Sequence, residues 1–394
     1  FLPLNLESFA YRLLSAFPVH LHRKSNEKIH RIMKIKNIFF AAILVLAGFS
    51  CSMEDDAIMN DVEKGIEEAT EAYTVLDFGV AFNEMATKAS TTVVPGEDRP
   101  ATGDENNDEK KISEVSVFLL EDGKVIGILI PQNRNQVSSN SDGSITLKDL
   151  KFVTKYKTNR TLEAHVVING NQFLKNINIG DAQSALNQQI SGCLSADQLI
   201  KYGSTRIVFG KDITNSYSSP SVAENNPTTI LVKVSHVAAR LDFSQFDVTL
   251  KGFEGNPTVV FDEAKFVNLQ QNGKIVEGDA SVNVKDGAFL NRSNRIGTRW
   301  TDLGTAYGYA NQYRQDSEMN TALYVKFTVD GRTFEKTYPI NPAGITKEVD
   351  HNGIKGGYLY DIKVRWTITP DWGDSTIEFY TRDWVHNSIP EIVL

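Results

Sequence analysis

The sequence predicts a mostly β protein built of two β-sandwich domains with a few short helices. Three observations carry this. Short β-rich runs with alternating apolar residues recur along most of the chain. Two pairs of such runs meet at Asp-Gly, at Asp122–Gly123 and Asp330–Gly331, the dipeptide able to adopt the positive φ angles of a tight hairpin turn. Helical patterning is confined to DAQSALNQQI and SADQLIKY, the second with Ser195 as N-cap. The residues from Cys51 onward are too many for one ordinary core and suit two.

Taken in order, the first organised stretch is Met33 to Asp56. Lys34 and Lys36 give a short positive region, Ile38 to Gly48 an apolar run, and Ser50 a small residue just before Cys51, which together read as a secretory signal over residues 33–50. The run is shorter than the ~20 apolar residues needed to span a bilayer. Residues 1–32 precede a complete signal beginning at a methionine and read as upstream translation. Asp55 to Glu71 is acidic and poor in large apolar residues, as a solvated tether would be.

Ala72 to Phe82 then alternates as a half-buried strand, with Leu76, Phe78, Val80 and Phe82 on one parity. Asn83 to Lys111 is Thr-, Gly-, Pro- and charge-rich and reads as an exposed loop. EVSVFLL and KVIGILI form the first predicted hairpin, with further strands at Ser144–Leu147 and Thr161–Ile168, and the two helical segments form an excursion over a sheet. Tyr217 to Pro227, with two prolines and repeated Ser and Asn, marks the expected junction between domains 89–227 and 228–394. Beyond it lie TTILVKVSHVAARLDFS, VVFDEAKFVNL and the second hairpin, which sets Phe327 opposite Phe334 and Lys326 opposite Glu335. Tyr358–Ile368 and Thr376–Val385 are the closing strands.

The net charge of -8, with an excess of base in the first fifty residues, makes the remainder more acidic still and argues against nucleic acid as a partner. Cys51 and Cys193 are the only cysteines, so no disulfide framework is expected, and Cys193 reads as a small buried hydrophobe. No GxSxG, HExxH, phosphate-binding loop or CxxC occurs, and no catalytic, cofactor or metal residue is assigned; the chain does not read as an enzyme. The acidic Asp104–Glu109 run has Glu109 where a calcium loop needs glycine and Val115 where it needs an acid, so it reads as solvated loop. His236 and Arg240, read as four apart on one strand, suit an edge or interdomain role better than a site.

The small residue before Cys51 resembles the lipobox of bacterial lipoproteins, with Gly48 where that motif has Leu, and CSMEDD resembles the tag of surface-exposed Bacteroidetes lipoproteins. With ATKAS (Ala86–Ser90), EVSVFLL, VSHVAARLDF and the terminal IEFYTRDWVHNSIPEIVL, nearly the whole chain from Met33 resembles the Bacteroidales fimbrillins, especially the minor, Mfa-type subunits. The resemblance implies two transthyretin-like β-sandwich domains, export as a lipoprotein acylated on Cys51, processing by a trypsin-like surface protease, polymerisation with other subunits by strand exchange, and passage from the outer membrane to an adhesive surface fimbria.

On that scheme the cut falls after Lys88, before Ala89, because Arg99 is followed by Pro100, which makes a poor substrate. Residues 51–88 then form a removable tether and strand. The donor is expected in the tail Ile377 to Leu394, with Ile377, Phe379 and Val385 on one parity and Tyr380 and Trp384 on the other. Tail and cleavable loop together favour a stalk subunit; tip and anchor roles are the alternatives within the family. A different class is a surface lipoprotein whose sandwich binds a glycan or host target through Trp300, Trp366 and Trp372.

Overall fold

The computed structural model describes residues 71–82, 107–141, 143–276, 278–291, 295–341, 352–383 and 391–392. The first lobe contains β1 (Tyr73–Phe82), β2 (Lys111–Ile112), β3 (Val115–Glu121), β4 (Lys124–Leu129), β5 (Val137–Ser139), β6 (Ile145–Lys155) and β7 (Thr161–Ile168). It continues with α1 (Asn171–Leu174), β8 (Gln189–Ser191), β9 (Lys201–Val208), α2 (Pro220–Glu224) and β10 (Thr228–His236). The second lobe opens with β11 (Ala239–Leu250), β12 (Val259–Val267), β13 (Leu269–Gln270), β14 (Asn272–Lys274), β15 (Val284–Lys285), β16 (Phe289–Asn291) and β17 (Arg295–Ile296). It closes with β18 (Arg299–Gly308), β19 (Ala322–Val329), β20 (Arg332–Pro339), β21 (Tyr358–Ile368), β22 (Gly373–Asp383) and β23 (Glu391–Ile392).

The first sheet runs β4-β3-β7-β9-β10-β1-β6-β5. Its two halves are joined by only two paired positions between β9 and β10, Tyr202 with Ser235 and Lys201 with His236. So weak a seam lets the halves fold onto each other, and one core holds residues of both, among them Val117, Leu119 and Val166 from one half and Phe78, Leu147 and Val232 from the other. The second lobe is a sandwich of β18-β11-β21-β22 against β16-β12-β19-β20, with β17 also on β12. At its centre Phe246 packs within 5.2–5.3 Å, centroid to centroid, of Phe261, Trp300 and Phe327.

Both predicted hairpins form at the expected turns. Asp122 and Gly123 have φ of 50° and 72°, Asp330 and Gly331 of 44° and 80°. Both residues of each turn occupy the left-handed region that a twist-matched two-residue loop requires. Phe327 stands opposite Phe334 and Lys326 opposite Glu335, as the alternation dictates.

Two expectations change. DAQSALNQQI and SADQLIKY are not helices but single 3-10 turns, Gln183–Leu186 and Ala196–Gln198, flanking β8 and running into β9, and Ser195 makes no side-chain cap bond. Burial decides this: Leu186, Ile190, Leu199 and Ile200 are each anchored in a third core, with Phe118, Leu120 and Val167 from the other face of the sheet, which a straight helix cannot follow. The excursion does cover the sheet. The junction also moves, because β10 belongs to the first sheet, and the chain crosses to the second at Val237–Ala238 rather than at Tyr217–Pro227.

Phe246→Ala removes the ring on which the aromatic cluster centres and is expected to cost about 3–5 kcal/mol, read by chemical denaturation. Trp372→Ala, at a position 53% exposed, should stay within about 0.5 kcal/mol. Burial raises the phenols of Tyr307, Tyr309 and Tyr360 and pushes Tyr338 up to about 12. Each pKa is raised above its unfolded value near 10, so the associated stability is fully present below about pH 10 and lost as pH rises toward 12. Denaturation midpoints should therefore be flat from pH 8 to about 10 and fall above it, together with the rise of tyrosinate absorbance.

Candidate functional site in the first sheet

The first of the described strands lies in the interior of this sheet. β1 pairs in parallel with β10, from Leu76 with Thr228 to Phe82 with Val234, and antiparallel with β6, from Tyr73 with Lys155 to Val80 with Ile145. The ladder to β6 breaks between Leu76 and Phe78, where β6 swings out through Asp149 at φ 57°. Leu76, Phe78, Val80 and Phe82 face the core; Val75, on the other parity, is fully buried too, on the side where α2 packs against β1 and β6. Burying five such side chains contributes roughly 8–15 kcal/mol, comparable to the whole stability of an ordinary domain.

The start of the strand is tied at several points. Tyr73 and Tyr217 exchange both backbone hydrogen bonds at 2.8 Å, and Tyr156 N donates to Ala72 O at 2.7 Å. Glu71 accepts from Tyr73 Oη at 2.6 Å and pairs with Lys155, contacts that hold its carboxyl below the usual range. These last groups are exposed, so the ion pair locates the strand more than it stabilises it.

Of the residues singled out by sequence, Cys51, Lys88 and Ala89 lie outside the described residues. Ile377, Phe379 and Tyr380 fall in β22, an edge strand paired along its whole length with β21, and Trp384 and Val385 lie outside the described residues. Glu391 and Ile392 pair in parallel with Lys111 and Ile112. Trp300 and Trp366 are buried in the second core, leaving Trp372 as the exposed member of the three proposed for stacking. Among the described residues, no three His, Cys, Asp or Glu side chains are grouped to hold a metal ion, and no helix is long and apolar enough to cross a membrane.

Sequence reasoning missed Glu109. It ends the acidic run expected to be solvated, yet it is fully buried, bridging the lobes. Its Oε2 accepts from Arg240 Nη1 at 3.0 Å, its Oε1 from Tyr307 Oη, and its carbonyl oxygen from the buried Lys201 Nζ at 3.0 Å. Arg240 also donates Nε to Asp242 Oδ1 at 3.0 Å. These carboxylates keep the guanidinium pKa raised despite burial, and burial with the nearby Glu109 charge raises the Tyr307 phenol. Arg240 thus has the interdomain role foreseen, although it and His236 belong to different strands. The lobes also share the third core, which takes in Ile275, Tyr309 and Leu359, and the β8–β14 ladder. The signal available in the sequence was a lone Arg between the apolar Ala239 and Leu241.

A two-lobed β-sandwich body whose first lobe is completed by an N-terminal strand is the class of protein these features define. Comparison with solved structures gives likenesses of overall fold. A candidate cell adhesion protein from Parabacteroides distasonis matches with a TM-score of 0.53 at 16% identity, over 79% of this chain and 97% of its own. A fimbrillin, FimA, from Porphyromonas gingivalis gives 0.45 at 15%, over 79% and 98%. The tip fimbrial protein Mfa3 from the same organism gives 0.42 at 12%, over 79% and 100%. The likeness is one of fold. No protein-family model and no curated protein sequence matches the chain.

Glu109→Ala leaves Arg240 buried without its cross-lobe partner and is expected to cost about 3–5 kcal/mol. Glu109→Gln, which keeps shape and one acceptor, should cost less. Thermal unfolding of both variants checks the order.

Proposed function

We propose that this chain is a structural subunit of an adhesive surface fimbria, exported as a lipoprotein acylated on Cys51 and matured by a trypsin-like protease that cuts after Lys88. It then polymerises with other subunits by strand exchange in the first sheet, and performs no catalysis. One observation carries the reading: β1 is a strand buried on both faces between β10 and β6, and 24 residues, 83–106, lie between it and the next described residue, Asn107. Removing it exposes two rows of backbone donors and acceptors and an apolar groove, both of which another extended segment can satisfy by β-augmentation. Of the three tryptophans considered for stacking, only Trp372 is exposed, which gives the glycan-binding alternative less support.

Mass spectrometry and N-terminal sequencing of protein taken from the cell surface test the scheme. The precursor should carry lipid on Cys51, and assembled fibres should begin at Ala89. Fibres that retain Tyr73–Phe82, or a Cys51→Ala chain that still incorporates labelled fatty acid, would overturn it.

A further inference from the structure

We propose that a polar cleft at one end of the first lobe binds a carboxylate-bearing saccharide, and that Glu71 weakens this binding until the segment carrying it is removed. The cleft gives the adhesive role a ligand class, and its dependence on cleavage rests on the reading that residues 51–88 are cut away. It has a volume of about 920 Å³ and opens where the Asp122–Gly123 hairpin meets the turn between β6 and β7. That volume lies within the ~300–1,000 Å³ of small-molecule sites, which are mostly apolar. Here, among the described residues, Leu120 is the sole large apolar side chain on the wall and no aromatic ring lines it. A ligand is therefore held by hydrogen bonds and charge, not by stacking.

One wall is fixed by Arg160. Its Nε and Nη2 donate to the two carboxylate oxygens of Glu121 at 2.6 and 2.8 Å, and Nη1 donates to Thr154 Oγ1 at 2.6 Å and Lys155 O at 2.9 Å. The guanidinium also lies 5.4 Å from the centre of the Phe209 ring. The Arg160 backbone N–H closes the turn onto Lys157 O at 3.1 Å, with Asn159 at φ 66°. Lys157, Thr158 and Asn159 are thereby set along the rim. Lys157 and Arg206 are exposed and make no ion pair among the described residues. The side chains of Thr158, Asn159 and Thr161 make no hydrogen bond among them either. Glu163 stands across the ladder from Arg206, and its Oε2 has only long contacts, at 3.4 Å, with His165 and Gln183.

This mixture selects the ligand. Lys157 and Arg206 supply positive charge for a carboxylate, while the threonines, Asn159, Asp122 and Glu163 set donors and acceptors side by side for hydroxyls. An acidic peptide offers many negative charges and few hydroxyls, so Asp122 and Glu163 repel it. Lys155 is the remaining cation of the cleft, and it is neutralised by a residue outside it: Nζ pairs with Glu71, which also accepts from Tyr73 Oη at 2.6 Å. A ligand carboxylate must compete with Glu71 for that charge. Glu71 belongs to the segment proposed to be removed, and its loss leaves Lys155 unpaired beside Lys157 and Arg206 in a chain that is acidic as a whole.

Fluorescence anisotropy on the full-length chain at low ionic strength, with labelled trigalacturonate and labelled sialyllactose, tests this. At least one should bind, release as salt rises, and bind more tightly than its own methyl ester, which keeps the hydroxyls and loses the charge. Lys157→Ala and Arg206→Ala should each weaken binding about two- to fivefold, the scale of one exposed charge pair. Lys285→Ala, at an exposed lysine of the second lobe, should leave it unchanged. Glu71→Gln should strengthen binding by a similar factor with no cut made, which separates the electrostatic step from strand release. Failure of both sugars to bind, equal binding of the methyl esters, tighter binding of hexaglutamate, or an equal loss with Lys285→Ala would overturn the site. No gain with Glu71→Gln would overturn its control by Glu71 and leave strand release untouched. Assembled fibres that retain Glu71 would instead remove the maturation reading while the binding results stand.

Discussion

The first lobe depends on one strand supplied from the start of the chain. Without β1 the half-sheet β10-β1-β6-β5 separates into β10 and the pair β6-β5. β10 would then be held laterally by only its two-position seam with β9. The parallel ladder from Leu76–Thr228 to Phe82–Val234 keeps β10 in the sheet. A parallel neighbour cannot be joined by a hairpin, so this pairing has to be made across most of the lobe's sequence. That non-locality is what makes the strand separable: its loss breaks no turn and leaves every other connection of the lobe in place.

The second lobe and the joint have a different character. The sandwich around Phe246 is closed by its own long-range ladders, β11 with β18 and β21 and β12 with β19, and the joint combines a shared apolar core, the β8–β14 ladder and the buried Glu109–Arg240 contact. None of these involves β1. Glu109 lies beyond the 83–106 segment, so a cut there leaves the joint's carboxylate with the body. The lobe that holds β1 and the joint between the lobes are separate in structure, which would suit the strand exchange proposed above.

What the sequence made legible follows from range. The hairpins at Asp122–Gly123 and Asp330–Gly331 were readable down to side-chain pairing, because a two-residue turn with positive φ at both positions fixes register locally. β1 was readable as a strand from its alternation, but its place inside the sheet was not, since its partner β10 carries no mark of pairing with it. The helical segments misled because their composition favours helix while their apolar residues are claimed one at a time by a core beneath them. Glu109 misled for the opposite reason: its neighbours Asp104 to Asp108 make it look solvated, and the arginine that buries it is 131 residues away. Charge runs report average exposure and are silent about a single member with a distant partner.

The depth of burial of β1 also decides how the strand can leave. Five buried apolar side chains and two ladders hold the strand, so severing the chain would not by itself open the slot. What a cut changes is concentration. While residues 83–106 connect β1 to the body, the strand rebinds as an intramolecular ligand at an effective concentration on the order of millimolar, and a competing strand at micromolar levels loses to it. On the proposed scheme, a cut would make β1 a dilute peptide, and a strand of equal complementarity would win by mass action. Proteolysis in the proposed scheme would supply no energy to a joint between subunits; it would remove the advantage of the strand already in place.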